Sequence, residues 1–419
     1  MNIIYKTGVF LVLLGTGQLA TAQNFITQWN LATAGSGATQ LSFGTATSGT
    51  VNYTWQEISP GSATGSGSWS GATLTITGLP AGATIRLQIV PTNFQRIIIN
   101  SGTDSNRLTQ VEQWGSVVWT SMLRAFDGCS NIQVTATDVP NLSNVTDMEG
   151  MFRGCTNLNS PTNINTWNTA AVTNISGMFE QAISFNQNIG SWNTGAVTQM
   201  IFTFRGANAF NQNIGSWNTG AVTNMSEMFR GAIAFNQNIG SWNTGAVVDM
   251  RSMFAQATSF NQNIGSWNIS AVVVTRGMFW QASAFNQNIS SWNTAAVTDM
   301  FFMFWGASSF NQDISSWNTA AVTIMGGMFE QATTFNQNLG AWTLNPSVNL
   351  STMLNNSGMD CNNYSATLIG WSANPLTPNG RSLGATGRQY GTNADAARTN
   401  LTTNKGLDNY RRCTFRCSL

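Results

Sequence analysis

Residues 235–244 read Phe235-Asn236-Gln237-Asn238-Ile239-Gly240-Ser241-Trp242-Asn243-Thr244, and closely similar phrases recur along the chain. The tryptophan of this phrase returns every 25 residues, at Trp167, Trp192, Trp217, Trp242, Trp267, Trp292, Trp317 and Trp342. A constant period indicates one structural unit that is stacked on copies of itself. We therefore predict a repeat solenoid over residues 105–355 instead of a single globular core.

Two hydrophobic patterns alternate within each repeat. The first has a helical spacing, at Val222, Met225, Met228 and Phe229, which predicts a short helical or 3₁₀ segment. The second is the Phe-Asn-Gln-Asn-Ile-Gly-Ser-Trp phrase, which predicts a short strand anchored by its Phe, Ile and Trp. Strands of successive repeats would then form a parallel sheet with a spacing of about 4.8 Å.

Amide side chains form columns at the same period. One column is predicted to hydrogen-bond along the stack and to satisfy turn backbone groups; it contains Asn186, Asn211, Asn236, Asn261, Asn286, Asn311 and Asn336. A second asparagine column has the same interpretation, at Asn193, Asn218, Asn243, Asn268, Asn293 and Asn318. A glutamine column offers a uniform amide surface suited to a glycan or a fibre, at Gln187, Gln212, Gln237, Gln262, Gln287, Gln312 and Gln337.

The segments outside the array have different compositions. Residues 1–22 have the features of a signal peptide, with Lys6, an apolar run at 9–14 and a small-x-small site ending at Ala22. Residues 23–104 alternate apolar and polar residues in short runs separated by turns, which predicts a small β-sandwich-like domain. Residues 356–419 lose the repeat and are predicted to be a cap, with short helices near 366–371 and 393–401, followed by a tail.

Composition excludes several classes of function. Charged residues make up 8% of the chain, the net charge is +1 and lysine occurs only at Lys6 and Lys405, so nucleic-acid binding is not expected. Histidine is absent, which removes the commonest general base. Acidic residues of the regular array are scattered, at Glu180, Glu227, Asp249, Asp299, Asp313 and Glu330. We predict no enzyme activity, no cofactor, no metal and no membrane span, and we expect a monomer.

The repeat resembles the BspA-family leucine-rich-repeat surface proteins over about residues 120–355. The motifs that carry the resemblance are Met-Phe-x-Gly-Ala, Phe-Asn-Gln-Asn-Ile and Ser-Trp-Asn-Thr, which recur in fixed order. The resemblance implies a right-handed, leucine-rich-repeat-like solenoid with one short parallel strand and one short helical segment per repeat. It also implies display outside the cell and adhesion to matrix proteins, host cells or other microbes.

One position of the repeat varies in chemical character. The residue after each Met-Phe pair or its counterpart is Arg153, Glu180, Arg205, Arg230, Ala255, Trp280, Trp305 or Glu330. We predict that the two tryptophans belong to an exposed aromatic and basic patch, because Trp and Arg are frequent anchors of interfaces and flat rings suit sugars and cations. The patch consists of Arg251, Arg276, Trp280, Phe302 and Trp305. In the alternative interpretation, these rings fold over neighbouring repeats and complete the core.

Five cysteines are present. Cys129 and Cys155 replace the small alanine of later repeats, so they are either a disulfide between neighbouring repeats or two buried thiols. The spacing of Cys413 and Cys417 indicates a local disulfide or a disordered tail in preference to a metal site.

Together these features predict a secreted or cell-surface bacterial protein that adheres to or recognises a protein or glycan partner. A structural spacer without a specific ligand is the first alternative, and a glycan-active enzyme is a weaker one.

Overall fold

The computed structural model describes residues 22–409 and 416–417. The predicted signal peptide therefore lies outside the described residues except for Ala22. The Cys413–Cys417 prediction also falls outside them, because Cys413 and the side chain of Cys417 are not described.

The N-terminal part of the chain forms two sheets. Its strands are β1 (Phe25–Asn30), β2 (Gln40–Thr47), β3 (Val51–Ser59), β4 (Thr64–Trp69), β5 (Thr73–Thr77), β6 (Thr84–Ile89), β7 (Phe94–Ile98), β8 (Leu108–Gln113) and β9 (Gln133–Val134). The six-stranded sheet has the order β4-β3-β6-β1-β8-β9, and the three-stranded sheet has the order β5-β2-β7. All neighbours are antiparallel except β8 and β9, which are parallel.

The core between these sheets follows from period-two burial. In β5 and β6 alternate side chains are buried, as in Leu74 and Ile76 or Ile85, Leu87 and Ile89. These apolar residues belong to the same continuous core as those of the 25-residue repeats. Because β9 already lies in the first repeat-like segment, the sheet leads directly into the repeats.

The predicted leucine-rich-repeat-like solenoid, with a parallel strand and a helical segment in each repeat, is wrong. Most extended structure lies in the two N-terminal sheets. The α-helices among the described residues are α1 (Cys361–Ala373) and α2 (Asp395–Thr399), both after the repeats. Each regular repeat is built of turns, and its only β-type pairing with the next repeat is one isolated parallel bridge, as between Asn224 and Asp249.

Two backbone positions in each repeat explain the absence of a helix. Non-glycine residues adopt a left-handed conformation there, as at Ser252 (φ 49°) and Gln256 (φ 60°), and glycine adopts it in other repeats, as at Gly277 (φ 58°) and Gly306 (φ 65°). Left-handed residues interrupt a right-handed helix. The spacing of Val222, Met225, Met228 and Phe229 therefore describes a buried series of turns, with all four side chains fully buried.

Backbone hydrogen bonds in these turns alternate between two directions. The amides of Glu227, Phe229 and Gly231 donate to carbonyls of the next repeat, at 2.8 to 2.9 Å. The amides between them close tight turns within the repeat, as Arg230 does to the Glu227 carbonyl at 3.2 Å. The stack of repeats therefore satisfies its buried backbone without regular secondary structure.

The phrase predicted to be a strand is held by asparagine side chains. Within the turn, Asn238 Oδ1 accepts from the Gly240 amide at 3.0 Å, and Asn243 Oδ1 accepts from the Gly245 amide at 3.1 Å. Such side-chain bonds to the backbone compete with extended pairing. The second asparagine column thus satisfies turn amides, as one part of its prediction stated.

The first asparagine column links the repeats. Asn261 Oδ1 accepts both from the Asn286 amide, at 2.9 Å, and from Gln287 Nε2, at 3.0 Å. The same pair of bonds recurs from Asn186 to Asn336, where the final acceptor serves Asp360 and Asn363. The glutamine column is consequently engaged in the ladder, because its Nε2 groups donate to the preceding repeat.

Aromatic side chains form continuous columns in the interior. The rings of Trp217 and Trp242 are parallel within 3° with centroids 6.5 Å apart, and each indole N–H donates to an isoleucine carbonyl of the preceding repeat at 3.1 Å. Phe204 and Phe210 stack at 4.0 Å within one repeat, and Phe204 stacks on Phe229 of the next at 5.6 Å. Each repeat therefore buries its apolar face against its neighbours.

In the C-terminal segment, helix α1 makes the contacts with the last repeat that a further repeat would make. Asp360 caps α1 by accepting from the Asn363 amide at 2.8 Å, while its own amide donates to Asn336 Oδ1 at 2.8 Å. Trp371 Nε1 donates to the Leu339 carbonyl at 2.9 Å, as the repeat tryptophans from Trp192 to Trp342 donate to an isoleucine carbonyl of the preceding repeat. Both segments predicted to be helical contain helix.

The short strands β10 (Ser382–Leu383), β11 (Tyr390–Gly391), β12 (Asp408–Asn409) and β13 (Arg416–Cys417) form two parallel pairs.

Cys129 and Cys155 are both free and fully buried, which confirms the thiol interpretation over the disulfide. The Cys155 thiol lies 3.1 Å from the Phe126 carbonyl. Burial raises the pKa of both thiols well above the ordinary value. Cys361, in contrast, is disulfide-bonded.

Replacing Asn261 with alanine is expected to lower the free energy of unfolding by about 1–3 kcal/mol, because it leaves the Asn286 amide and the Gln287 side chain without their acceptor. Asn268→Ala is the matched control, since exposed Asn268 serves the Ser270 amide within its own turn. Chemical denaturation followed by circular dichroism measures both. Equal losses of unfolding free energy in both variants would show that the first asparagine column contributes no more than a bond within a turn.

Iodoacetamide at pH 8 without reductant is expected to leave Cys129 and Cys155 unmodified in the native protein and to label both in denaturant, because buried neutral thiols are unreactive. Peptide mass spectrometry measures the labelling. Rapid labelling of the native protein, or a Cys129–Cys155 disulfide, would contradict the buried-thiol assignment.

Candidate functional site

The residue after each buried Met-Phe pair or its counterpart lies on the surface of the repeat stack and varies along it. We call these residues the surface column: Arg153, Glu180, Arg205, Arg230, Ala255, Trp280, Trp305 and Glu330. All are half-buried except Ala255, which is buried. Each stands between the buried phenylalanine position and a left-handed residue, so its backbone is constrained by the repeat while its side chain is free to differ.

The first half of the surface column is ionic. Arg205 lies between two acids, with Nη1 3.7 Å from Glu180 Oε1 and 3.5 Å from Glu227 Oε2, and Arg230 binds Glu227 at 2.8 Å. Burial raises the pKa of Glu180, and the charge of Arg205 opposes that shift. Partly buried pairs of this kind neutralise one another. The ionic half therefore presents little uncompensated charge.

The second half of the surface column is aromatic. The rings of Trp280 and Trp305 have centroids 5.9 Å apart, and Phe302 lies 6.2 Å from Trp305. Phe301 adjoins Phe302 at 3.8 Å. We call Trp280, Phe301, Phe302 and Trp305 the aromatic cluster. All four rings are half-buried, so they pack on one another and still present surface to solvent.

Two arginines border the aromatic cluster. The guanidinium of Arg276 lies 4.6 Å from the Phe301 ring centroid and binds Asp299 at 2.9 Å. The guanidinium of Arg230 lies 5.7 Å from the Trp280 ring, although Arg230 is two repeats away. The intervening repeat carries the small, buried Ala255, which allows this contact. The cluster is therefore flanked by a cation on each side.

The structure brings together four of the five residues predicted for the patch. Trp305 contacts both Trp280 and Phe302, and Arg276 joins them through Phe301. Arg251 instead binds Asp249 of its own repeat at 2.6 Å, and this hydrogen bond raises its pKa.

Sequence reasoning missed Arg230 and Phe301. Arg230 occupies the same repeat position as the tryptophans, but a contact across two repeats requires Ala255 between them, which the period alone does not reveal. Phe301 occupies the repeat position of Arg251 and Arg276. Comparison along that position would have found it.

A shallow groove of about 550 Å³ runs beside the aromatic cluster. Its lining includes Gln281 and Gly306, which directly follow the two tryptophans, and the polar side chains of Gln256, Thr258 and Ser283. Among residues 22–409 and 416–417, no group of three or more acidic, cysteine or histidine side chains could hold a metal ion. A helix long and apolar enough to cross a membrane is also not found in this part of the chain.

Replacing Trp280 and Trp305 with serine is expected to destabilise the protein far less than replacing Trp292. Trp292 is 3% exposed, stacks on Trp317 and donates to the Ile264 carbonyl, so Trp292→Ser should cost about 3–5 kcal/mol. The half-exposed pair should cost about 1 kcal/mol per ring. Thermal and urea unfolding of the variants measure this. A loss as large as that of Trp292→Ser would assign the two rings to the core.

Comparison with known proteins identifies the repeats. A family described as "Mycoplasma protein of unknown function, DUF285" matches residues 120–221, 206–294 and 264–367, three overlapping segments that together span more than half of the chain. Curated proteins give no match. The chain therefore belongs to the DUF285 family of repeat proteins.

Proposed function

We propose that this protein acts outside the cell and recognises a protein or glycan partner through the aromatic cluster. The proposal of an extracellular location is supported by the signal-like sequence of residues 1–22. The resemblance of the repeat motifs to BspA-family surface proteins supports adhesion. We also propose that the chain works by binding and not by catalysis, since it has no histidine and its array acids are scattered.

The observation that carries the proposal is the change of character along the surface column. Followed from Arg153, the column has three arginines, a glutamate and an alanine before Trp280 and Trp305, although the backbone contacts of the repeats remain the same. Packing of the stack does not require a large ring at this position, because Ala255 fills it in one repeat. A half-exposed aromatic cluster with flanking arginines has the composition typical of binding hot spots.

The uniform surface of the stack is a weaker candidate than the aromatic cluster. The glutamine amides, predicted to face a repetitive partner, donate to the asparagine ladder, so binding through their N–H groups would compete with contacts between repeats. A ligand on the cluster disturbs no such bond. This difference favours a local interface over recognition along the whole stack.

The experiment is a binding screen of the full chain. The wild-type protein is applied to an array of purified extracellular matrix proteins and to a glycan array, and dissociation constants of the hits are measured by biolayer interferometry. Loss of both rings in Trp280→Ser/Trp305→Ser is expected to weaken binding at least about 30-fold, corresponding to a 2 kcal/mol hot spot.

Ile183→Ser is the matched control, because Ile183 is an exposed apolar residue four repeats from Trp280. Its affinity should equal that of the wild type. A protein that binds nothing on either array would support the spacer alternative. Binding that survives loss of both rings would place the interface elsewhere.

A further inference from the structure

A second group of partly exposed aromatic side chains lies on the N-terminal six-stranded sheet, far in sequence from the aromatic cluster. Tyr53 and Trp55 project from the same side of β3, and Trp69 ends β4. All three are half-buried and pack against the core from its margin. We call Tyr53, Trp55 and Trp69 the aromatic shelf.

The shelf lies on β3 and β4, at one edge of the six-stranded sheet. Burial falls off accordingly, since alternate residues of β6 are fully buried whereas those of β4 are only half-buried. The inner face of the sheet therefore continues outward from the core as a partly uncovered surface.

Two glycines of β4 leave room for the rings of the shelf. Trp55 is paired with Gly65 and Tyr53 with Gly67 across β3 and β4. A Cβ added at Gly65 would lie 2.6 Å from the Trp55 indole, and one added at Gly67 would lie 2.5 Å from the Tyr53 hydroxyl oxygen. Each ring thus lies directly against bare backbone of the edge strand. Glycine within a strand often marks a place where a ligand or another chain approaches closely.

Trp69 is fixed at one end of the shelf. Its indole N–H donates to Thr45 Oγ1 at 3.1 Å, and its ring lies 6.0 Å from Tyr53 and 5.9 Å from Phe94. The position of Tyr53 is thereby defined on two sides, by Gly67 and by Trp69. Rings held in this way lose little conformational entropy when a ligand stacks on them.

The two strands that carry the shelf, β3 and β4, and the turn between them offer no available charge. Glu57 is the single charged residue in the sequence from Val51 to Trp69. It is 7% exposed, and its carboxylate accepts from the Gly61 and Ala63 amides of the β3–β4 turn at 3.0 and 3.2 Å. A phosphate-bearing or acidic ligand would therefore find no cation on these two strands, although nucleic-acid stacking platforms require one.

From this geometry we propose that the aromatic shelf is a binding site for a neutral polysaccharide, whose sugar rings stack on Tyr53 and Trp55. The apolar faces of a sugar ring match flat aromatic surfaces, and an uncharged chain incurs no penalty for lacking an ionic partner. The site is independent of the function proposed for the aromatic cluster, because it lies in the N-terminal sheet, outside the repeats that carry the cluster, and uses different residues.

Native affinity electrophoresis of the full chain tests this proposal. Gels contain barley β-glucan, xylan, galactomannan or dextran as neutral probes, and polygalacturonate as an anionic probe. The wild type is expected to be retarded by at least one neutral polysaccharide. Tyr53→Leu/Trp55→Leu keeps both side chains apolar but removes both flat rings, so it should weaken binding at least about tenfold. Thr54→Leu, on the exposed side of the same strand, should bind as the wild type does.

A second measurement uses the wild-type protein alone and so does not depend on the folding of a variant. N-bromosuccinimide oxidation of the wild type, mapped by mass spectrometry, should show Trp55 protected by the retarding polysaccharide and Trp280 unprotected. Circular dichroism of each variant confirms its fold.

Several results would overturn the proposal. These are retardation by polygalacturonate alone, no retardation by any neutral probe, or retardation that survives Tyr53→Leu/Trp55→Leu. A dimer in analytical ultracentrifugation that the same substitutions dissociate would assign the shelf to a second copy of the chain. Loss of retardation in Trp280→Ser/Trp305→Ser alone would place sugar binding in the aromatic cluster, so the two proposals fail separately.

Discussion

The regular stack depends on the side-chain oxygen of each asparagine in the first column, which accepts two hydrogen bonds at once. A single oxygen, such as Asn261 Oδ1, accepts one backbone amide and one glutamine amide from the following repeat. Because the same oxygen binds a backbone amide and a side-chain amide, a shift of register by one residue would break both bonds. The rings of Trp217 and Trp242 can stack nearly parallel because that register is held. Apolar burial supplies most of the driving force, while the amide column determines which residues face one another.

Because apolar burial and the amide column together hold the stack, the surface can vary without loss of the fold. The surface column accepts an arginine, a glutamate, an alanine or a tryptophan, since the turn around it is closed by main-chain bonds and by the buried Phe on its N-terminal side. Ala255 also shows that a small residue changes which distant side chains meet, as it does for Arg230 and Trp280. The chemistry of the surface is therefore set by few substitutions on a constant framework.

Periodicity in the sequence was sufficient to predict the stacking of like residues but not the conformation of one repeat. The tryptophan and asparagine columns follow from the period alone. The predicted helix and strand were wrong because apolar spacing does not report φ: Ser252 and Gln256 adopt left-handed conformations with ordinary polar side chains. Glycine at the equivalent positions, as in Gly277 and Gly306, is the signal that could have shown it. The proximity of the patch residues was predicted better, since three of the rings stand at repeat positions whose variation is visible in the sequence.

The two aromatic surfaces are connected by structure and not by a flexible linker. The inner side chains of β3 and β6, the repeat tryptophans and the α1 tryptophan Trp371 all belong to one hydrophobic core. Strand β9 joins the first repeat-like segment to the sheet that bears the shelf. A ligand that engages both surfaces must therefore match their fixed separation, and the second contact then occurs at a high effective concentration without the entropy cost of ordering a linker. A ligand that fits only one surface gains nothing from the other. On the two binding proposals, the continuous core would favour a long partner over a short one, because only a long partner can reach both surfaces.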